Sequence, residues 1–422
     1  MSYSKTRTHK SGADALIFMC WLIYSVSYLG KVNYSANIGG IIDFFNVSKA
    51  EAGIPPTFFF FAYGVGQVVN GILCKRYNTK WVIFSSLFIS AVINLLVALT
   101  VNFGFIKWLW MINGFALSML WPTIVRLISE SMPKKDLGKS SAVMGTTVAS
   151  GTLVIYGLSA LYTLFGSFKL ALYTAAIADF TVAVIWLLLY NRAVNKAKRE
   201  KANKSSELEK QSEVRVRTED TIDTKKLLYI TLGILCFCAI AINLIKDGLT
   251  TWLPVILKEE YSLSGSISIL LTLLLPIVSI FGNLFALRVH KKIPDFVTHC
   301  GVIFAIALGF TGIIIGSLLL KMMSFMIISI VFVNFLVSSL NSVVTSIFPI
   351  FMRERVAAGL WAGILNGFCY LGSTLSSYGF GAVADNFGWM MIFWIILAIS
   401  FVICLICFGY FCFKKRAHRI NS

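Results

Sequence analysis

Charge is scarce in this sequence. Of 422 residues only 13% are Asp, Glu, Lys or Arg, while 57% are hydrophobic. Soluble domains carry about 25% charged residues, so a water-soluble globular protein is excluded. Acidic residues are the scarcer sign, 19 against 37 basic ones. Histidine occurs only at His9, His290, His299 and His418, at or near the ends of apolar runs and without a common metal spacing. There is no Gly-rich phosphate loop and no pair of carboxylates inside an apolar run. No catalytic residue, no metal and no cofactor is therefore expected, and the chain does not read as an enzyme. The nine cysteines fall in or at the edges of apolar runs, and neither Cys236 with Cys238 nor Cys404 with Cys407 has a partnering pair at zinc spacing. They read as small apolar side chains.

Long apolar runs are what the sequence has in abundance. Twelve are distinguishable, at 15–42, 53–74, 81–101, 106–131, 139–165, 168–190, 227–257, 264–287, 295–319, 322–351, 357–384 and 387–413. Each is long enough for a tilted membrane helix of about 20 to 25 residues. Runs such as 81–101 are continuously apolar, without the alternation of a transmembrane barrel. The first is too long for a signal-peptide core and lacks a small-residue cleavage pattern, so it is expected to stay as a mature helix. Between the sixth and seventh lies 192–226, rich in Lys, Glu, Ser and Asn, which reads as a flexible or loosely helical linker. The chain thus divides into an N-terminal six-helix half, 1–191, a linker, 192–226, and a C-terminal six-helix half, 227–422.

Basic residues sort by side. Both termini, the linker and the even-side loops hold 29 of the 37, including Lys75, Arg76, Arg288, Arg353 and Arg355; the odd-side loops hold only Lys49, Lys107, Lys169, Lys258 and Lys321. The positive-inside rule places both termini and the linker in the cytoplasm, with the chain multi-pass in the cell membrane. That bias accounts for the net charge of +18 and removes nucleic acid as a partner.

An internal repeat supports the division. Pro122-x-x-x-Arg126 recurs as Pro349-x-x-x-Arg353; Gly138, Gly145 and Gly151 recur as Gly359, Gly367 and Gly372; Lys31 recurs as Lys246. With Gly71 recurring as Gly282 at the basic end of its run, offsets of 211 to 227 residues are what a duplicated six-helix unit gives.

Three basic residues lie inside apolar runs: Lys31, Arg126 and Lys246. A charge deep in the bilayer costs at least about 2.5–3.5 kcal/mol and is kept only where it faces a cavity or a partner. Lys31 and Lys246 lie roughly 24 and 28 Å along their helices, too deep to reach an interface easily. If the halves are related by a pseudo-twofold axis, the two ammonium groups face one central cavity and make an anion site. Helical spacing puts Tyr24, Tyr28 and Ser35 on the Lys31 face, and Asn243 and Thr250 on the Lys246 face. Asp247 is adjacent to Lys246, about 100° away around the helix, and is expected to be a poor direct partner. Asp179 is expected to make a polar contact within the bundle, Arg126 to pair with Glu130, and Asn334 and Asn341 to serve as interhelical glue or as polar groups of the site.

Tyr24-x-x-x-Tyr28-Leu-Gly-Lys31-x-Asn33, Lys246-Asp-Gly-x-x-x-Trp252-x-Pro254, Tyr63-Gly64 through Gly71, and Tyr370-Leu-Gly372 followed by Gly381-x-x-x-Asp385-x-x-Gly388-Trp389 resemble the motifs of the organophosphate:phosphate antiporter family of the major facilitator superfamily. The resemblance spans most of the chain outside the linker and termini. It implies an all-α membrane protein of twelve transmembrane helices in two halves related by a pseudo-twofold axis, the major facilitator fold. It implies that Lys31 and Lys246 stand where the family has phosphate-binding arginines, and it adds Tyr63, Gln67 and Tyr370 to the substrate-binding set of Lys31, Lys246, Tyr24, Tyr28 and Asn243. Gln67 replaces a family lysine, Val148 a family histidine, and Lys75 a loop aspartate.

The expected function is secondary active transport of a small organic anion, first of all a phosphate ester exchanged for phosphate. A membrane sensor for such an anion and a proton-coupled symporter of carboxylates or sugar acids are the alternatives. The expected partners are the small anion and the lipid bilayer, with the chain acting as a monomer. Two lysines without a counter-ion favour exchange, whereas deprotonation of Lys31 or Lys246, or neutralisation by Asp247 or Asp179, permits return of an empty carrier and net transport coupled to protons. The topology has a direct check: a reporter fused within 192–226 is expected in the cytoplasm and one inserted at 258–260 outside, and opposite labelling would overturn the six-plus-six division.

Overall fold

The computed structural model describes residues 12–73, 76–132, 134–205, 222–351 and 358–421. The basic residues Lys5, Arg7, Lys10, Lys75, Arg353 and Arg355, and the linker's centre, lie outside the described residues. The described chain is helical: α1 Gly12–Ala36, α2 Ile38–Phe45, α3 Lys49–Leu73, α4 Thr79–Leu99, α5 Phe103–Ser118, α6 Leu120–Ser131, α7 Lys134–Met144, α8 Thr147–Leu164, α9 Lys169–Ser205, α10 Ile222–Tyr261, α11 Gly265–Thr272, α12 Leu274–Lys292, α13 Phe296–Leu319, α14 Met323–Ser342, α15 Phe348–Phe351, α16 Ala358–Phe387 and α17 Trp389–Asn421. Eleven segments are long and apolar enough to cross a membrane. The 30-residue α16 coincides with the one remaining apolar run of the sequence.

α1 packs on α8 and α9, α4 on α9, and α3 on α5; in the second half α10 packs on α16, α13 on α14 and α17, and α12 on α14. The halves meet along α3 against α16 and α8 against α11. A pseudo-twofold axis interchanges these two seams, since the second, fifth, eighth and eleventh spans form them. Glycines let the first seam close: a Cβ on Gly53 would stand 2.2 Å from the Ser377 carbonyl oxygen, and one on Gly381 2.4 Å from that of Lys49.

The linker is more ordered at its start than its polarity suggests. α9 continues to Ser205 through a stretch of good helix formers, with Val194 and Ala197 buried. Glu200 accepts from the Gly12 and Ala13 amides at the start of α1, and Lys201 donates to the Ser129 and Glu130 carbonyls. A carboxylate at a helix N-terminus is favourable, so 192–205 acts as a docking helix and not as a loose tether.

Several spans are broken near proline. A proline leaves the carbonyl four residues earlier without its intrahelical donor, and lipid supplies none. Here side chains from other helices fill the gap. Tyr34 Oη donates to the Ala52 carbonyl freed by Pro56, at 3.0 Å; Gln67 Nε2 lies 3.5 Å from the Ser118 carbonyl freed by Pro122; Tyr156 Oη donates to the Thr250 carbonyl freed by Pro254, at 3.1 Å. The last bond joins the halves. A Tyr156→Phe variant is expected to lose about 1 kcal/mol, within the range for a buried group left unpaired. In a Pro254→Ala background, where the backbone amide returns, most of that loss should vanish; a double-mutant cycle of thermal unfolding in detergent measures the difference.

Candidate anion-binding site

A cavity of about 310 Å³ lies between the halves, lined by Tyr28 and Lys31 of α1, Thr152 of α8, Lys246 and Asp247 of α10, and Tyr370 of α16. Both span lysines therefore reach one space, but they are held differently. Lys31 is 8% exposed. Its Nζ lies 4.0 Å from the ring centroid of Tyr63, 4.9 Å from Tyr28, 5.1 Å from Tyr370 and 5.9 Å from both Phe59 and Phe60. It also donates to Tyr370 Oη at 3.4 Å. Ring faces attract a desolvated ammonium by about 2 kcal/mol each at best, and they leave its charge uncancelled. Among the described residues Lys31 has no carboxylate at ion-pair distance.

Lys246 is compensated. Its Nζ stands 3.4 Å from Asp247 Oδ1 and donates to Asn243 Oδ1 at 3.3 Å. Ser373 Oγ of α16 donates to the other carboxylate oxygen of Asp247 at 2.5 Å. The expectation that Asp247 is a poor partner is thus corrected. The 100° between neighbouring positions fixes only where the Cβ atoms point, and the four-carbon lysine stem folds back across that angle. Asn243 in turn donates to Asn341 Oδ1 at 3.1 Å, placing Asn341 in the cavity wall. Asn334 instead donates to the Leu275 carbonyl and Ser279 Oγ, as interhelical glue.

The other expected residues divide into lining and backing groups. Tyr28, Asn243 and Tyr370 line the cavity with the lysines, as do Thr250 and Val148. Tyr24, Tyr63 and Gln67 stand behind them. Tyr24 packs on Trp121 at 4.8 Å and edge-on to Tyr28 at 5.5 Å, Tyr63 covers Lys31, and Gln67 is turned to Ser118. Ser35 is bonded to Thr251. Phe59 and Phe60, absent from the expected set, complete the ring around Lys31; the signal was the four-phenylalanine run 58–61 ahead of Tyr63. Asp179 accepts from Ser90 at 2.7 Å, deep in the first half, and Arg126 pairs with Glu130 at 2.8 Å.

The bonds that cross between the halves cluster at one end of the cavity. The start of α3 carries a capping box, with Glu51 N donating to Ser48 Oγ and Ser48 N to the Glu51 carboxylate. The next two amides, of Lys49 and Ala50, donate across the seam to Asp385 of α16 at 3.3 and 2.7 Å. Lys49 Nζ bridges Asp385 at 3.5 Å and Glu259 at 3.3 Å, and Trp389 Nε1 donates to Glu259 at 2.8 Å. Lys258 pairs with Asp43, but that carboxylate is 61% exposed, and exposed pairs contribute about 0–1 kcal/mol. Asp385, more enclosed and on a helix N-terminus, is the stronger latch. On the same face Lys321 bonds Glu260, which raises its ammonium above the ordinary lysine value.

The Major Facilitator Superfamily matches residues 20–358. A probable hexose phosphate transport protein of Chlamydia muridarum is 22% identical over 403 residues, covering 90% of this chain and 86% of its own. The membrane sensor protein UhpC of Escherichia coli is 22% identical over 395 residues, covering 91% and 89%. Among solved structures, a bacterial homolog of the human lysosomal transporter Spinster, inward-facing and unoccupied, has a TM-score of 0.75 at 15% identity, over 95% of this chain and 97% of that one. A D-xylose-proton symporter has a TM-score of 0.70 at 13% identity, over 94% and 97%. The two structures share the fold.

The latch has a measurable consequence. With native cysteines removed, a cysteine at position 57, where Thr57 bonds the Thr374 carbonyl across the seam, should react several-fold faster with an impermeant maleimide applied from the Lys49 side once Asp385→Ala is introduced. Equal rates would assign closure to the glycine contacts alone.

Proposed function

The chain belongs to the Major Facilitator Superfamily, and on that footing we propose that it is a secondary active transporter of a small organic anion, alternating access around Lys31 and Lys246. The observation that carries this reading is the meeting of one lysine from each half in a single cavity, one of them without a counter-ion. Tyr28, Asn243 and Tyr370 supply hydrogen-bond donors for the anion's oxygens or for substrate hydroxyls. A phosphate ester is the favoured substrate, in line with the similarity to the Chlamydia hexose phosphate transport protein. The halves on either side of 192–226 would rock as units, in a monomer. With the termini in the cytoplasm, on the side of the basic loops, the latched end at Lys49 faces outward and the conformation described opens inward, in the cell membrane.

Closing the cavity around an uncompensated Lys31 is costly, and a bound anion removes that cost, which favours exchange of one anion for another. The similarity to UhpC supports a second reading, a sensor that binds the anion without moving it.

Counterflow in proteoliposomes separates these readings. Labelled hexose 6-phosphate should enter vesicles preloaded with inorganic phosphate, and Lys31→Gln or Lys246→Gln should reduce entry by at least about tenfold. Saturable binding without flux would favour the sensor. Undiminished exchange in the Lys31→Gln, Lys246→Gln double variant would reject the site, and rapid net uptake into vesicles without an exchangeable anion would reject obligatory exchange.

A further inference from the structure

The two lysines are not equivalent, and the carboxylate between the halves is the reason. Both oxygens of Asp247 are engaged, one by Lys246 at 3.4 Å and the other by Ser373 at 2.5 Å. The ion pair is assembled from two helices, since α10 provides the charges and α16 the hydroxyl that fixes the carboxylate. Among the described residues the charged side chains lining the cavity are Lys31, Lys246 and Asp247. With both lysines protonated, two positive charges and one negative leave one net positive charge, and the lysine without an ion pair of its own is Lys31, whose nearest neighbours are aromatic rings and a phenol hydroxyl.

We propose that Asp247 is the resident counter-ion of the anion site, and that it sets the site's preference for a group carrying one negative charge over one carrying two. This rests on the transporter reading and deepens it by assigning the charge state of the cargo. A monoanion seated against Lys31 leaves the cavity neutral. A dianion leaves one excess negative charge in a low-dielectric space, or must pull Lys246 away from Asp247 and strand that carboxylate, whose remaining partner is Ser373. Besides Lys246, the titratable groups around Asp247 are Lys31, which also feels the carboxylate's charge across the cavity, and Tyr28, Tyr156, Tyr370 and Cys369, which bring no positive charge.

The test compares two esters of the same sugar. At pH 8 hexose 6-phosphate is a dianion, its second proton leaving near pH ~6, whereas hexose 6-sulfate has the same tetrahedral head and a single charge. Titration calorimetry on the purified full-length chain should show the sulfate binding at least as tightly as the phosphate. In Asp247→Asn the ratio of the two dissociation constants should move by about tenfold toward the phosphate, and Asp247→Glu should restore the native ratio. Tighter binding of the phosphate by the native chain at pH 8 would overturn the proposal even if Asp247→Asn fails to fold, and so would a ratio unchanged in a folded Asp247→Asn. Binding of neither ester, nor of inorganic phosphate, by the native chain would overturn the anion site itself and the transporter reading with it. Binding with an unmoved ratio removes only the role of Asp247.

Discussion

An ammonium group deep in a membrane helix has to be faced inward, and most of the architecture around the cavity answers to that one constraint. Lys31 is nearly enclosed, and its ammonium form is stabilised by ring faces contributed by α1, α3 and α16. Those rings come from both halves. The site is therefore complete only when α3 and α16 are closely packed, and the glycines of that seam, Gly53, Gly64 and Gly381, keep the backbones near enough for the cage to form. Closure at the Lys49 end and assembly of the lysine cage are consequences of the same helix contact.

Backbone polarity imposes a second demand. Each proline within a span removes a backbone donor and leaves the carbonyl four residues earlier unpaired. Tyr34, Gln67 and Tyr156 answer three of these with side-chain donors. Gln67 shows how such a need competes with function. At a position where the family resemblance implies a substrate contact, its amide meets a proline-freed carbonyl and lies behind the cavity wall.

The spans were legible because continuous apolar runs in a 422-residue chain have few alternatives, and most of the observed helices begin and end close to them, although α9 and α17 run on well past their apolar runs, to Ser205 and Asn421. Lys31 and Lys246 were legible for the opposite reason, as charges where charge is least tolerated. The Arg126–Glu130 pair and the contact of Asp179 with a neighbouring helix followed from the same logic. What escaped was anything set by reach or by a partner distant in sequence. The Lys246–Asp247 pair depends on side-chain torsions that a helical wheel ignores. The docking of 192–205 depends on Glu200 meeting the first residues of α1, nearly two hundred positions away. Phe59 and Phe60 were visible as residues, but an apolar run gives no sign that two of its members face a cation.

The cage around Lys31 has an electrical consequence. A carrier whose empty site holds one uncompensated positive charge, and whose loaded site is neutral, presents a different charge to the membrane voltage in each half of its cycle. The voltage then acts on the empty reorientation and leaves the loaded one almost untouched. A full elementary charge crossing 100 mV corresponds to about 2.3 kcal/mol, and a charge moved through only part of the field to a proportional share. With the interior negative, the resting carrier is drawn toward the arrangement that exposes Lys31 to the cytoplasm. A lysine ringed by aromatic side chains would in this way act as a weak voltage sensor as well as an anion ligand.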